Sequence, residues 1–110
     1  MSELNRFKTV TKTLTSSYQE IYPAPSNFAS IILMAQISNT TDETRTVTFS
    51  HYNPTTTITT ELLETFSIPP YDAVSALTGK LVLEAGQSVK AYAIGGGVKV
   101  VLSILETSSV

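Results

Sequence analysis

Polar and apolar residues alternate along much of the chain. Lys8-Thr-Val-Thr-Lys-Thr-Leu-Thr15 has a period of two, as do Thr46-Val-Thr-Phe-Ser50 and, in part, Lys99-Val-Val-Leu-Ser-Ile104. That period places successive side chains on opposite faces of a strand, and Thr, Val, Ile, Tyr and Phe suit a pleated surface. Helical periodicity is weak. Thr60-Glu-Leu-Leu-Glu-Thr-Phe66 lacks start and stop signals and runs into Ile68-Pro69-Pro70, so it reads as a strand. Candidate strands cover residues 6–14, 17–22, 28–38, 44–52, 57–68, 73–77, 80–84, 87–94 and 98–106, with some expected to merge. Turn signals separate them at Tyr22–Asn27, Ser38–Glu43, Asn53-Pro54, Pro69–Asp72, Thr78-Gly79, Ala85-Gly86 and Gly95–Gly97. The pattern predicts an all-β fold, a single antiparallel β-sandwich of jelly-roll type with seven or eight strands. One domain spans residues 1–110, with residues 1–13 as an N-terminal arm and 107–110 as a loose tail.

Two stretches add detail. In Gly79-Lys-Leu-Val-Leu-Glu-Ala-Gly-Gln-Ser-Val-Lys-Ala-Tyr-Ala93, two short strands flank a turn in which Gly86 supplies a positive φ, making a hairpin or a corner. Leu81, Leu83, Val89 and Ala91 then face one way, and Lys80, Glu84, Lys90 and Tyr92 the other. The second stretch, Phe28–Ile37, is apolar on both alternating faces. Ile31, Leu33, Ala35 and Ile37 would lie on one face and Phe28, Ile32 and Met34 on the other, and Val100–Leu105 repeats the pattern more weakly. A strand apolar on both faces needs cover on both. A loop or the N-terminal arm of the same chain could cover the second face, or a neighbouring chain could; for the latter Phe28, Ile32, Met34, Val101 and Leu105 are the candidate protein–protein interface, and with the sparse charge self-association is expected.

Composition narrows the chemistry. With 110 residues the chain can bury a single core, and with no cysteine it can form neither a disulfide nor a thiolate metal site. Charged residues are 15% of the chain and the net charge is −2, with no basic stripe to grip phosphates, so no nucleic-acid partner is expected. The N-terminus lacks the apolar segment of a secretory signal, and the longest apolar run, Ile31–Ala35, is too short for a membrane helix. A soluble chain with no export address and no membrane partner is the expectation. His51 is the only histidine and sits at a strand end, where a partly buried structural histidine is the expectation. Gly95-Gly-Gly97 is followed by strand residues rather than a helix, so it reads as a hairpin turn and not as a phosphate loop. The acids are dispersed, and the tyrosines Tyr18, Tyr22, Tyr52, Tyr71 and Tyr92 lack interleaved basic residues. No catalytic, cofactor-binding or metal-binding residues emerge, and the chain is not expected to be an enzyme.

Four segments in order, Ser17-Tyr-Gln-Glu-Ile-Tyr-Pro-Ala-Pro25, Ile31-Ile-Leu-Met-Ala-Gln-Ile-Ser-Asn39, Lys80-Leu-Val-Leu-Glu-Ala-Gly-Gln-Ser-Val-Lys90 and Leu102-Ser-Ile-Leu-Glu106, resemble a family of small tailed-phage virion proteins of cyanophage type. Each motif alone is a generic β pattern, and the specificity lies in their order over residues 17–106. The resemblance implies a non-enzymatic β-sandwich subunit of the virion, assembled in the host cytoplasm and using no cofactor. It implies a homo-oligomer, with a trimer favoured, bound to other virion proteins such as the major capsid protein. A capsid decoration (cement) protein that stabilises the shell is the leading expectation, with the N-terminal arm lying along a neighbour. A neck, tail, baseplate or fibre accessory subunit is the alternative. So is a carbohydrate-binding receptor-recognition module that uses exposed loop residues such as Tyr71 and Asp72.

Overall fold

Alternation yields strands throughout, and no strand merges with the next. A computed structural model describes residues 5–108 and contains, among them, nine strands and no helix. They are β1 (Asn5–Leu14), β2 (Gln19–Pro23), β3 (Phe28–Asn39), β4 (Arg45–Asn53), β5 (Ile58–Ile68), β6 (Ala73–Ser75), β7 (Leu81–Leu83), β8 (Ser88–Ile94) and β9 (Val98–Ser108).

Two antiparallel sheets form the sandwich. The first has the order β1-β9-β3-β6, with β7 also paired to β3, and the second has the order β2-β8-β4-β5. The chain changes sheet at most connections, and the exposed turn at residues 54–57 joins β4 to β5 within the second sheet. The inward faces interlock through Phe49 and Val47 of β4, Val89, Ala91 and Ala93 of β8, Ile32, Ala35 and Ile37 of β3, and Val98, Val100, Leu102 and Ile104 of β9, all fully buried. Truncating a residue such as Phe49 in a core of this density costs about 3–5 kcal/mol.

Local sequence explains the joints. Gly86 has φ +87° as expected, but β7 pairs with β3 of the first sheet and β8 with β2 and β4 of the second, so the turn is a corner between sheets. Leu83, Val89 and Ala91 meet in the core from either side of it. Gly95–Gly97 also links different sheets, β8 to β9, and is an arch rather than the expected hairpin turn. All three of its glycines have positive φ, and a Cβ on Gly97 would sit 2.5 Å from Thr41 Cγ2. At the far end of β3, Asn39 is buried. Its Nδ2 donates to the carbonyls of Glu43, Ile68 and Pro69 at 2.8, 3.0 and 3.1 Å, pinning three segments together.

The N-terminal arm read from the sequence at residues 1–13 is corrected for its described part. Residues 5–14 form β1, paired with β9 of the same chain from Asn5↔Thr107 to Leu14↔Val98. Val10 and Leu14 face inward and hold the strand on the core. The tail read at 107–110 likewise begins as strand, since β9 runs to Ser108. Residues 1–4 and 109–110 lie outside the described residues. As an edge strand β1 carries Arg6, Lys8 and Lys12 on its inward side, a charge pattern that discourages indiscriminate edge pairing.

Candidate functional site

The five residues singled out as an interface divide between the two sides of the first sheet. Ile32 is fully buried in the core, and Phe28 is on the same inward side, half-buried, with the Arg6 guanidinium 4.5 Å from its ring centre. These two are corrections. The reason is a β-bulge: Ile32 pairs with Ile104 but Met34 pairs with Ser103, leaving Leu33 as the extra residue. Strict alternation would keep Ile32 and Met34 together; the bulge puts Ile32 inward and Met34 outward. Met34, Val101 and Leu105 do lie on the outer face, with Met34 exposed and the other two half-buried.

Register shows what accompanies them. Phe7 of β1 pairs with Leu105 of β9, Leu105 with Ile31 of β3, and Ile31 with Val82 of β7. Directly paired residues share a face, so the four make one apolar row across four strands, about 14 Å wide. Phe7 is 75% exposed and Val82 56% exposed. Met34 adjoins the row, and Thr9 and Ser103 continue the same face with hydroxyls. The sequence signal for Phe7 was its phase with Thr9, Thr11 and Thr13. Ile31 and Val82 were not legible as outward residues without the bulge and the β3–β7 pairing. A water-exposed apolar row bordered by hydroxyls is chemically suited to burial against another protein surface.

Behind the row, on the inward side, is a charged network. Glu106 is fully buried; it accepts from Arg6 Nε at 2.7 Å and from the Tyr22 hydroxyl, with Lys8 Nζ 3.6 Å away. Ser30 Oγ lies 2.8 Å from the Tyr22 hydroxyl and completes the set. Burial alone would raise the Glu106 pKa. The hydrogen bonds from Tyr22 and Arg6 and the charges of Lys8 and Arg6 outweigh it and hold the carboxyl below its ordinary value. Tyr22 is pushed up to about 12, first by burial and then by its bond to Glu106. The network fixes β1 to β9, β2 and β3 and offers no open space for a substrate.

His51 is half-buried at the end of β4, with Nε2 3.1 Å from Gln87 Oε1, as expected for a structural strand-end histidine. Among the described residues no three His, Asp or Glu side chains gather to hold a metal ion. A shallow depression of about 360 Å³ between β1 and β9 is lined by Thr11, Lys12, Thr13, Lys99, Val100 and Val101 and contains no acid or histidine. Tyr71 and Asp72 occupy a turn, Tyr71 being 74% exposed and Asp72 capping the amide of Ala73 at 2.8 Å.

No family model matches the chain, and no curated protein matches it. Solved structures share its fold. A protein of the disulfide-linked pili that form Bacillus endospore appendages superposes with a TM-score of 0.58 at 12% identity, covering 97% of this chain and 88% of that one. A protein of the T13 particle of IBDV, an icosahedral virus, superposes with a TM-score of 0.53 at 8% identity. There the match covers 96% of this chain but only 36% of the viral one. At such identities the likeness is one of fold. With no cysteine, this chain has no counterpart of the pilus disulfides.

Proposed function

We propose that the chain is a non-enzymatic structural subunit of a tailed-phage virion, a capsid decoration protein that stabilises the shell through protein–protein contacts. The observation that carries this reading is the Phe7–Leu105–Ile31–Val82 row with Met34 beside it: apolar, free of charge and open to solvent on a rigid sheet. A lone subunit gains nothing from such a surface, whereas a subunit in an assembly gains about 25 cal/mol for each Å² of it that is covered. The ordered motifs between Ser17 and Glu106 and a fold of the kind found in a pilus and in a viral particle support the same reading. In it the row joins copies of the chain, a trimer being the expected oligomer, and the oligomer sits on the major capsid protein of a particle assembled in the host cytoplasm.

Copy number tests it. Quantitative mass spectrometry of purified particles, scaled to the major capsid protein, should give a ratio near that protein's own. A ratio typical of rings or fibres would move the chain to the neck or tail, and absence from the particle would sink the virion reading. The row has its own test: Met34→Lys and Leu105→Lys should reduce the light-scattering mass to that of a monomer with an unchanged circular dichroism spectrum. Ile32→Lys should abolish folding, because it buries an unpaired charge.

A further inference from the structure

The outer face of the second sheet has a different chemistry. Register places Glu20 of β2 beside Lys90 of β8, Lys90 beside Ser50 of β4, and Ser50 beside Glu61 of β5. This polar row is about 14 Å wide, with Ser50 fully covered and Glu20, Lys90 and Glu61 as its accessible polar groups. Aromatic rings stand on both sides of it. Tyr92, two residues along β8, meets Tyr18 edge-to-face with ring centres 4.8 Å apart, and the Tyr18 hydroxyl is 2.7 Å from Ser50 Oγ. On the other side Lys90 Nζ is 4.0 Å from the centre of the Tyr52 ring. Tyr18 is 45% exposed. Glu20 and Glu61 are exposed and make no hydrogen bond or ion pair among the described residues, and the hydroxyls of Tyr52 and Tyr92 have no partner there either.

We propose that this face is a carbohydrate-binding platform for a short oligosaccharide, with the exposed Tyr18 ring, braced edge-to-face by Tyr92, as the stacking surface and Glu20, Lys90 and Glu61 as hydrogen-bonding partners for sugar hydroxyls. A pyranose ring has an apolar C–H face and a rim of hydroxyls that both donate and accept. The first matches a tyrosine ring held against a sheet, and the second matches carboxylates that only accept and an ammonium that only donates. Ordering is already met in part, since Tyr18 is tied to Ser50 and Lys90 rests on Tyr52, which lowers the cost of fixing these side chains on binding. Charge argues against nucleic acid, because a single cation between two carboxylates repels a phosphate backbone. It argues against an apolar protein contact as well, which the other sheet's outer face suits better. The length of the row fits several sugar units in line. This site is distinct from Tyr71 and Asp72, and it does not depend on where in a particle the chain resides.

The test begins with purified protein on an array of printed oligosaccharides, neutral, acidic and amino-sugar-containing. A bound oligosaccharide is then titrated by tyrosine fluorescence, since the chain has no tryptophan and three of its five tyrosines are on the platform. Tyr92→Ala and Glu61→Gln should each weaken binding at least tenfold, and Tyr71→Ala should leave it unchanged. Glu61→Gln changes an exposed side chain that makes no hydrogen bond or ion pair among the described residues, so it decides the matter if Tyr92→Ala does not fold. Binding of no oligosaccharide on the array overturns the proposal, as does binding that survives Glu61→Gln or that is lost with Tyr71→Ala.

Discussion

Glu106 shows how one side chain can set the pH response of the whole fold. Among the described residues it is the single fully buried acid, and it is stabilised by donors from two other strands, Arg6 of β1 and Tyr22 of β2. Its folded pKa lies below the ordinary 4.5, so its contribution is complete above that value and is lost as pH falls through the lower folded value. Glu106→Gln keeps the shape but removes the charge, leaving Arg6 and Lys8, each nearly half exposed, without their counter-ion. We expect a loss of about 2 kcal/mol at neutral pH, less than for a fully enclosed pair because water screens the two cations. Urea denaturation of both forms should show the gap shrinking as the pH falls from 4.5 through the lower folded value, and no further change below it. A gap that stays constant down to pH 2 would mean that folding leaves the pKa of this carboxyl unchanged. Nothing in the sequence announced this network, because Arg6 and Tyr22 are 100 and 84 positions away from Glu106.

Strands were legible because their determinant is local. The alternation from Lys8 to Leu14 and the strand-like residues of Thr60–Phe66 lie within β1 and β5, and the turn residues bound them to within one or two positions. What alternation cannot express is an inserted residue. Leu33 looks like any other apolar position of β3, yet it reverses the phase of everything after it, and this is why Phe28 and Ile32 were placed on the wrong side. Pairing partners were also illegible: Gly86 and Gly95–Gly97 announce turns but not which sheets they join. The two joints differ in tolerance, and that can be measured. Gly86 has φ +87° with nothing within 4 Å of a Cβ, so Gly86→Ala carries only the backbone strain, about 1 kcal/mol. Gly97→Ala adds a collision with Thr41 to a φ of +75° and should cost about 2–3 kcal/mol by thermal or urea denaturation. Equal costs at the two sites would mean that the Thr41 side chain yields freely.

At the scale of the molecule, the two outer faces differ in chemistry. One carries an apolar row and the other a tyrosine-flanked polar row, and the shared core between them lets a substitution on either face be read without disturbing the other. Such independence predicts additive effects for Met34→Lys and Glu61→Gln in the double variant. The pairing of the first strand with the last has a further consequence. Asn5 lies directly opposite Thr107 on neighbouring strands, about 5 Å apart, so the described residues form nearly a closed ring with its seam between β1 and β9. Residues 109–110 and 1–4 already supply more than enough chain to bridge that gap. A circular permutant that joins Val110 to Met1 and opens the exposed turn between Thr55 and Thr56 should fold to the same dichroism spectrum and melt within a few degrees of the parent. Its new ends would emerge beside β5, at the opposite edge of the other sheet. A tag or cargo could then be carried at either corner of the sandwich by choosing where the ring is cut.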